Sequence, residues 1–264
     1  MKYLFSDGGL RILESLCFTR TLFAFDFDGT LAPIVARPSD ARVSRRTSEI
    51  LRVLNAKAPI AIISGRSLQD LKSRMNIRPA FLIGNHGQEG LGSNSIALEA
   101  ARVTCRSWQS QVESFVSRSR DPVGVEVEDK EFSLAVHYRR ARRKRETRLA
   151  ILDFLSRMTP SPRLIFGKSV VNLIPAGAPH KGMALLEAMG NAQARSAFYI
   201  GDDDTDEDVF ALPDDRVISV RVGKKRSSHA KFYLRRQGEV NLLLSRLVEF
   251  FGEAGKVSGK ALAL

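Results

Sequence analysis

The segment Leu22-Phe23-Ala24-Phe25 is apolar at every position, and Phe27 extends it past a single carboxylate at Asp26. A strand of this kind has no polar face to turn toward water, so it must be covered on both sides. Ile60-Ala61-Ile62-Ile63 and Phe81-Leu82-Ile83 repeat the pattern, while Ser44 to Asn55 and Leu68 to Met75 carry helical spacing. Unbroken apolar strands separated by helices predict a doubly wound, Rossmann-like α/β fold, in which a parallel sheet lies between helical layers. The alternation resumes as a helix at Lys181 to Met189, a strand at Ala197 to Ile200, a helix at Glu207 to Leu212 and a strand at Val217 to Val222. A last helix runs from about Val240 to Phe251, with a frayed tail expected after Glu253.

The middle of the chain has a different period. Val123 to Val127 and Phe132 to Tyr138 flank the polar run Glu128-Asp129-Lys130-Glu131, which predicts an antiparallel hairpin. Leu164 to Phe166 and Val170 to Ile174 predict a second hairpin around Gly167-Lys168, and helices are expected at Ala100 to Ser119 and Arg145 to Met158. The expectation is a small α+β unit, residues 91–175, inserted into a parallel-sheet unit made of 1–90 and 176–264. Gly90-Leu91-Gly92-Ser93 and Pro175-Ala176-Gly177 would serve as hinges. Near the N-terminus, Leu10, Ile12, Leu13 and Leu16 predict a short amphipathic helix.

Composition narrows the class. A chain of 264 residues with 44% hydrophobic content can bury a substantial core. No apolar run of about 18 residues is present, so no membrane partner is expected, and the first residues lack the apolar core of a signal peptide. The expected location is cytoplasmic. Cys17 and Cys105 are far apart without metal-type spacing and read as packing thiols. The formal charge of +12 fits either nucleic acid or a small anionic substrate. Its densest cluster, Arg139-Arg140-Ala141-Arg142-Arg143-Lys144-Arg145, has no interleaved aromatics and is read as the solvated start of a helix, with RNA contact a minor alternative.

Four polar groups follow the apolar elements. Asp26 and Asp28, at i and i+2, share a face and would repel one another without a cation, although Asp28-Gly29 also suits a hairpin turn. Ser64-Gly65-Arg66 follows the second strand and offers a hydroxyl and an open backbone to a phosphoryl oxygen, and Lys181 opens a helix after a Gly- and Pro-containing loop. Gly201-Asp202-Asp203-Asp204-Thr205-Asp206-Glu207 places five carboxylates at a helix start. A helix cap accounts for one or two of them; Mg²⁺, which prefers oxygen ligands, accounts for the excess.

In this order, Asp26-Phe27-Asp28-Gly29-Thr30, Ser64-Gly65-Arg66, Lys181 and the acidic run resemble the four motifs of the haloacid dehalogenase superfamily. Within it, Asn85-His86-Gly87, Val127-Glu128-Asp129-Lys130, Phe132 to Arg139 and Gly167 to Val171 resemble trehalose-6-phosphate phosphatases, a likeness running from about Phe23 to Phe251. The resemblance implies a cap of the C2B type for the inserted unit and a sugar phosphate as the small-molecule partner, with no nucleic acid. Nothing in the sequence sets the oligomeric state, and a monomer is the default expectation.

Carried onto this chain, the resemblance makes Asp26 the nucleophile and Asp28 the acid and base, with Ser64 and Lys181 holding the phosphoryl group. It implies Mg²⁺ at Asp26, Asp28 and Asp202, with Asp206 behind. Thr30, Gly65, Arg66, Asn85 and His86 would meet the substrate from the parallel-sheet unit, and Glu128, Lys130, Arg139 and Asn172 from the inserted one. His86, like His137, is as plausibly structural. Asn172 stands where the family leads one to expect a glutamate, which leaves sucrose 6-phosphate and glucosyl- or mannosyl-phosphoglycerate open as substrates. A nucleic-acid-binding protein on the same fold is the remaining alternative.

Overall fold

All seven strands of the larger sheet run parallel, which is the arrangement that strands apolar on both faces demand. The structure is a computed structural model that describes residues 1–35, 37–92, 95–118, 124–167 and 169–261, without side-chain detail for residues 38 and 255–261. Two compact units divide the chain: Met1–Leu91 with His180–Leu264, and Gly92–Pro179.

In chain order the elements are β1 (Lys2–Tyr3), α1 (Asp7–Cys17), β2 (Thr21–Phe25), α2 (Arg45–Asn55), β3 (Ile60–Ile63), α3 (Leu68–Arg74) and β4 (Phe81–Ile83). The smaller unit follows with α4 (Ser95–Arg118), β5 (Glu126–Asp129), β6 (Leu134–His137), α5 (Lys144–Leu155), β7 (Arg163–Gly167) and β8 (Val170–Ile174). The chain then returns with α6 (Lys181–Asn191), β9 (Ser196–Gly201), α7 (Glu207–Phe210), β10 (Val217–Val222), β11 (Phe232–Leu234) and α8 (Val240–Ala261).

The parallel sheet has the order β1-β11-β10-β9-β2-β3-β4. On one face Phe23, Phe25, Phe198 and Ile200 pack against Leu13 and Leu16 of α1, Leu51 and Leu54 of α2, and Leu243, Leu244 and Leu247 of α8. Leu22, Ala24, Ala61, Ala197 and Tyr199 meet α6 and α7 on the other. Serine side chains cap α1, α2 and α3, with Ser6, Ser44 and Ser67 accepting from the backbone amides of Gly9, Thr47 and Asp70. Each cap contributes about 1 kcal/mol.

The smaller unit is an antiparallel sheet of order β5-β6-β8-β7 with α4 and α5 on one side. Its core is Cys105, Trp108 and Val112 of α4, Ile151 and Leu155 of α5, and Leu134, Val136, Val171 and Leu173 from the strands. Glu128, Ala135 and Asn172 are register partners across three strands, so they share the face away from that core.

Several boundaries differ from expectation. The first hairpin turns two residues later than its charges suggest: Glu128 and Asp129 belong to β5, Asp129 Oδ1 accepts from the Glu131 amide at 2.7 Å, and Glu131 takes φ +72°. Burial of Phe132 and Ser133 draws the turn to this point. The helix expected from Ala100 begins at Ser95, the one from Glu207 is a single turn, and the final helix continues through Ala261 where a frayed tail was expected. Strands β1 and β11 were not foreseen. Ser93, Ser119, Val123, Lys168 and residues 262–264, which carried parts of the hinge, helix, hairpin and tail expectations, lie outside the described residues.

Candidate active site

Strands β9, β2 and β3 are neighbours, so the loops at their carboxyl ends come together at one edge of the sheet. Alternation along β2 turns Leu22 and Ala24 toward α6 and α7 and Phe23, Phe25 and Phe27 toward the opposite core. Asp26 follows the first set. Its amide donates to the Ile200 carbonyl at 2.9 Å, and its side chain is buried. Lys181 opens α6 on the same face, at a helix start where the His180 imidazole accepts from the Gly182 and Met183 amides.

Lys181 Nζ donates to Asp26 Oδ1 and to Asp206 Oδ1, both at 2.7 Å. Asp206 is filled from other sides as well, accepting from Tyr199 OH at 2.6 Å through Oδ1 and from the Asp203 amide at 2.9 Å through Oδ2. Asp202 completes the group, since Asp26, Asp202 and Asp206 each offer an oxygen, all within 4.8 Å of one another. Gly29 permits this approach: it takes φ +81°, and a Cβ there would lie 2.1 Å from Asp202 Oδ2.

Three carboxylates facing one ammonium leave two negative charges in a buried place. Burial first, and then the neighbouring carboxylates, raise both Asp26 and Asp202 above the ordinary carboxylate range, with Lys181 pulling the other way. Burial works against the charge of Lys181, but Asp206 and Asp26 outweigh it and hold the ammonium above its ordinary value. Among the described residues, the buried Asp202 Oδ1 has no hydrogen-bond partner. An all-oxygen set with two uncompensated charges and an unsatisfied oxygen fits a hard divalent cation.

Asp28 stands apart from this group. Its carboxylate, 43% exposed, accepts from Arg66 Nε and Nη2 at 2.6 Å each. Arg66 also binds Asp70 and lies over the Phe27 ring. Ser64 is buried, and its Oγ accepts from the Arg66 amide at 3.2 Å. Asn85 and His86 take φ of +47° and +61°, two successive side chains in the left-handed region, which favours glycine. Asn85 Nδ2 donates to Glu89 Oε2 at 2.6 Å, and a Cβ on Gly65 would meet the His86 ring at 2.4 Å. Thr30 is fully buried, and its Oγ1 has no hydrogen-bond partner among the described residues.

In the smaller unit three of the expected sugar-contacting residues bond to neighbouring side chains. Glu128 Oε2 meets His137 Nε2 at 2.7 Å, and Lys130 Nζ donates to Asn172 Oδ1 at 3.2 Å. Asn172 is buried and Arg139 half-buried.

Two residues in the larger unit were missed at the level of sequence. Tyr199 was counted only as part of an apolar strand, yet its hydroxyl reaches Asp206. Arg221, buried in β10, donates to the Asp203 carbonyl and to Glu207 Oε1 at 3.0 Å each and so braces the acidic loop. A guanidinium inside a strand rich in Val and Ile was the available signal for Arg221; Tyr199 carried none beyond its hydroxyl.

Residues 24–237 match the family described as trehalose-phosphatase. Trehalose-phosphate phosphatase B of Arabidopsis thaliana is 29% identical over 249 residues, taking in 85% of this chain and 65% of that protein. The trehalose-phosphate phosphatase of Mycobacterium ulcerans is 30% identical over 253 residues, covering 92% and 65%. The chain thus spans just under two thirds of the length of both relatives. Among solved structures, the C-terminal domain of the C. albicans trehalose-6-phosphate phosphatase superposes with a TM-score of 0.73 at 26% identity, covering 91% of this chain and 97% of that one.

Proposed function

Because this chain belongs to the trehalose-phosphatase family, we propose that it hydrolyses trehalose 6-phosphate to trehalose and phosphate, through a phosphorylated Asp26 and with Mg²⁺ as its metal. The observation that carries this reading is the Lys181 ammonium shared between Asp26 and Asp206, with Asp202 within reach.

In this mechanism a carboxylate oxygen of Asp26 bonds to phosphorus as the bond to the sugar oxygen breaks, and that oxygen leaves with a proton from Asp28. Water then attacks the aspartyl-phosphate and gives its proton to Asp28. The Asp26–phosphorus bond breaks, phosphate is released, and both carboxyl groups return to their starting state. Ser64 and the remaining Lys181 proton hold phosphoryl oxygens, a task of positioning and electrostatics. Arg66 holds both oxygens of the Asp28 carboxylate in the resting structure, and Asp28 gives up one of these bonds when it takes on the proton that the leaving oxygen receives. Asp26, Asp202 and the Asp28 carbonyl would hold Mg²⁺, with Asp206 behind them. When bound, the cation neutralises the carboxylates and the phosphoryl oxygens.

Thr30, Gly65, Asn85 and His86 are assigned to the substrate from the larger unit, and Glu128, Lys130, Arg139 and Asn172 to sugar recognition from the smaller one. The Asn172 amide donates to and accepts from hydroxyls without adding charge. The test is phosphate release from trehalose 6-phosphate, sucrose 6-phosphate, glucose 6-phosphate and glucosyl-phosphoglycerate, with Mg²⁺ or EDTA, and with Asp26→Asn as blank. Metal-dependent preference for trehalose 6-phosphate is the expected result. Preference for another sugar would reassign the smaller unit's specificity, and release that persists in EDTA would remove Mg²⁺ from the reading.

A further inference from the structure

The buried side of β9 is apolar except at one atom. Tyr199 is fully buried, with its ring edge-on to Phe210 at 6.0 Å between centroids. Its hydroxyl leaves that apolar cluster to donate to Asp206 Oδ1 at 2.6 Å. The same oxygen accepts from Lys181 Nζ, which also donates to Asp26 Oδ1. A continuous path of hydrogen bonds therefore runs from the middle of the sheet to Asp26, where low dielectric strengthens each link.

Packing alone does not account for the hydroxyl. Phenylalanine would fill nearly the same volume without having to desolvate an oxygen. What the hydroxyl adds is a second side-chain donor to Asp206 Oδ1. With it, Asp206 does not need the whole of the Lys181 ammonium, and Asp26 receives its share. Burial, followed by the charge of Asp206, holds the phenol protonated and so keeps it a donor.

We propose that Tyr199 is a positioning residue. By satisfying Asp206 Oδ1 it divides Lys181 between Asp206 and Asp26, and so sets the geometry of the acidic group around the nucleophile. The inference rests on the reading above, in which Asp26 attacks phosphorus. Loss of the hydroxyl would draw Lys181 toward Asp206 and leave Asp26 less firmly held.

The test is Tyr199→Phe in the full chain. On the preferred sugar phosphate, kcat should fall about 10-fold, the lower end of what loss of an outer hydrogen bond around a metal site costs, with KM changed by less than about 2-fold. Binding of Mn²⁺ alone, followed by calorimetry without substrate, should weaken by about the same 10-fold factor. In an Asp206→Asn background the same substitution should cost less than about 2-fold, because the group through which Tyr199 acts has already been altered. A lowered thermal midpoint with unchanged kcat and Mn²⁺ affinity would overturn the proposal and make Tyr199 a packing residue. Full additivity with Asp206→Asn would overturn it too. If the wild-type chain hydrolyses none of the sugar phosphates, the functional reading fails, and the Mn²⁺ titration still decides the role of Tyr199.

Discussion

The carboxyl end of the parallel sheet and the face of the small antiparallel sheet away from its own core both carry charged side chains, but they hold them differently. At the first, Asp26, Lys181 and Asp206 are buried and bonded to one another. On the second, Glu128 pairs with His137 and Arg140 with Glu126 where water reaches them. The buried carboxylates share a single ammonium, so removing Lys181 leaves them with no counter-charge, at a cost of about 3–5 kcal/mol. An exposed pair contributes about 0–1 kcal/mol and can exchange partners freely. The first arrangement is preorganised; the second is adaptable.

The sharpest way to break this contrast is Asp26→Asn, which should lower phosphate release by on the order of 10⁴-fold or more, because no other group replaces a nucleophile. Activity well above that level would take the nucleophile's role from Asp26. Lys181→Met should lower kcat by on the order of 10²- to 10³-fold and stability in urea unfolding by about 3–5 kcal/mol. A variant as stable as the parent would mean that the buried group is not interdependent.

Changes on the small sheet should be milder and of another kind. Lys130→Ala should raise KM for the sugar phosphate about 10-fold, with kcat nearly constant and hydrolysis of p-nitrophenyl phosphate unaffected. Glu128→Gln should move the unfolding free energy by less than about 0.5 kcal/mol. A kcat effect as large as its KM effect would place Lys130 with the chemistry instead. The smallest effect expected is none: Cys17 in the larger unit and Cys105 in the smaller are both buried, and burial pushes each thiol up to about 12. At pH 8 both remain protonated, so a thiol-reactive disulfide should label neither in the native protein and both in urea. Labelling of one alone would show that the two cores are not equally closed.

Elements with a strong period were readable in the chain. β3, β4, β8 and β10 fall where their apolar runs are. β1 and β11 were not, because two or three residues carry no period; pairing of Lys2 with Phe232 and Tyr3 with Tyr233 makes them strands. The face shared by Asp26 and Asp28 was only half informative. Alternation sends Asp26 inward, but β2 ends at Phe25 and Gly29 turns the chain, and the Asp28 carboxylate meets Arg66 rather than the acidic group.

The sequence by itself determined the parallel sheet, since unbroken apolar strands require cover on both faces, and it determined which polar residues follow them, since those stand next to the runs they end. Tertiary structure decided which of these residues meet. Asp26 and Lys181 are 155 positions apart, and the Tyr199–Asp206 pair, seven residues apart on β9 and its loop, comes near Asp26 only because β9 lies beside β2. Periodicity is local and is written within a few residues; adjacency of strand ends depends on the order in which the whole sheet assembles, and no short stretch of sequence contains it.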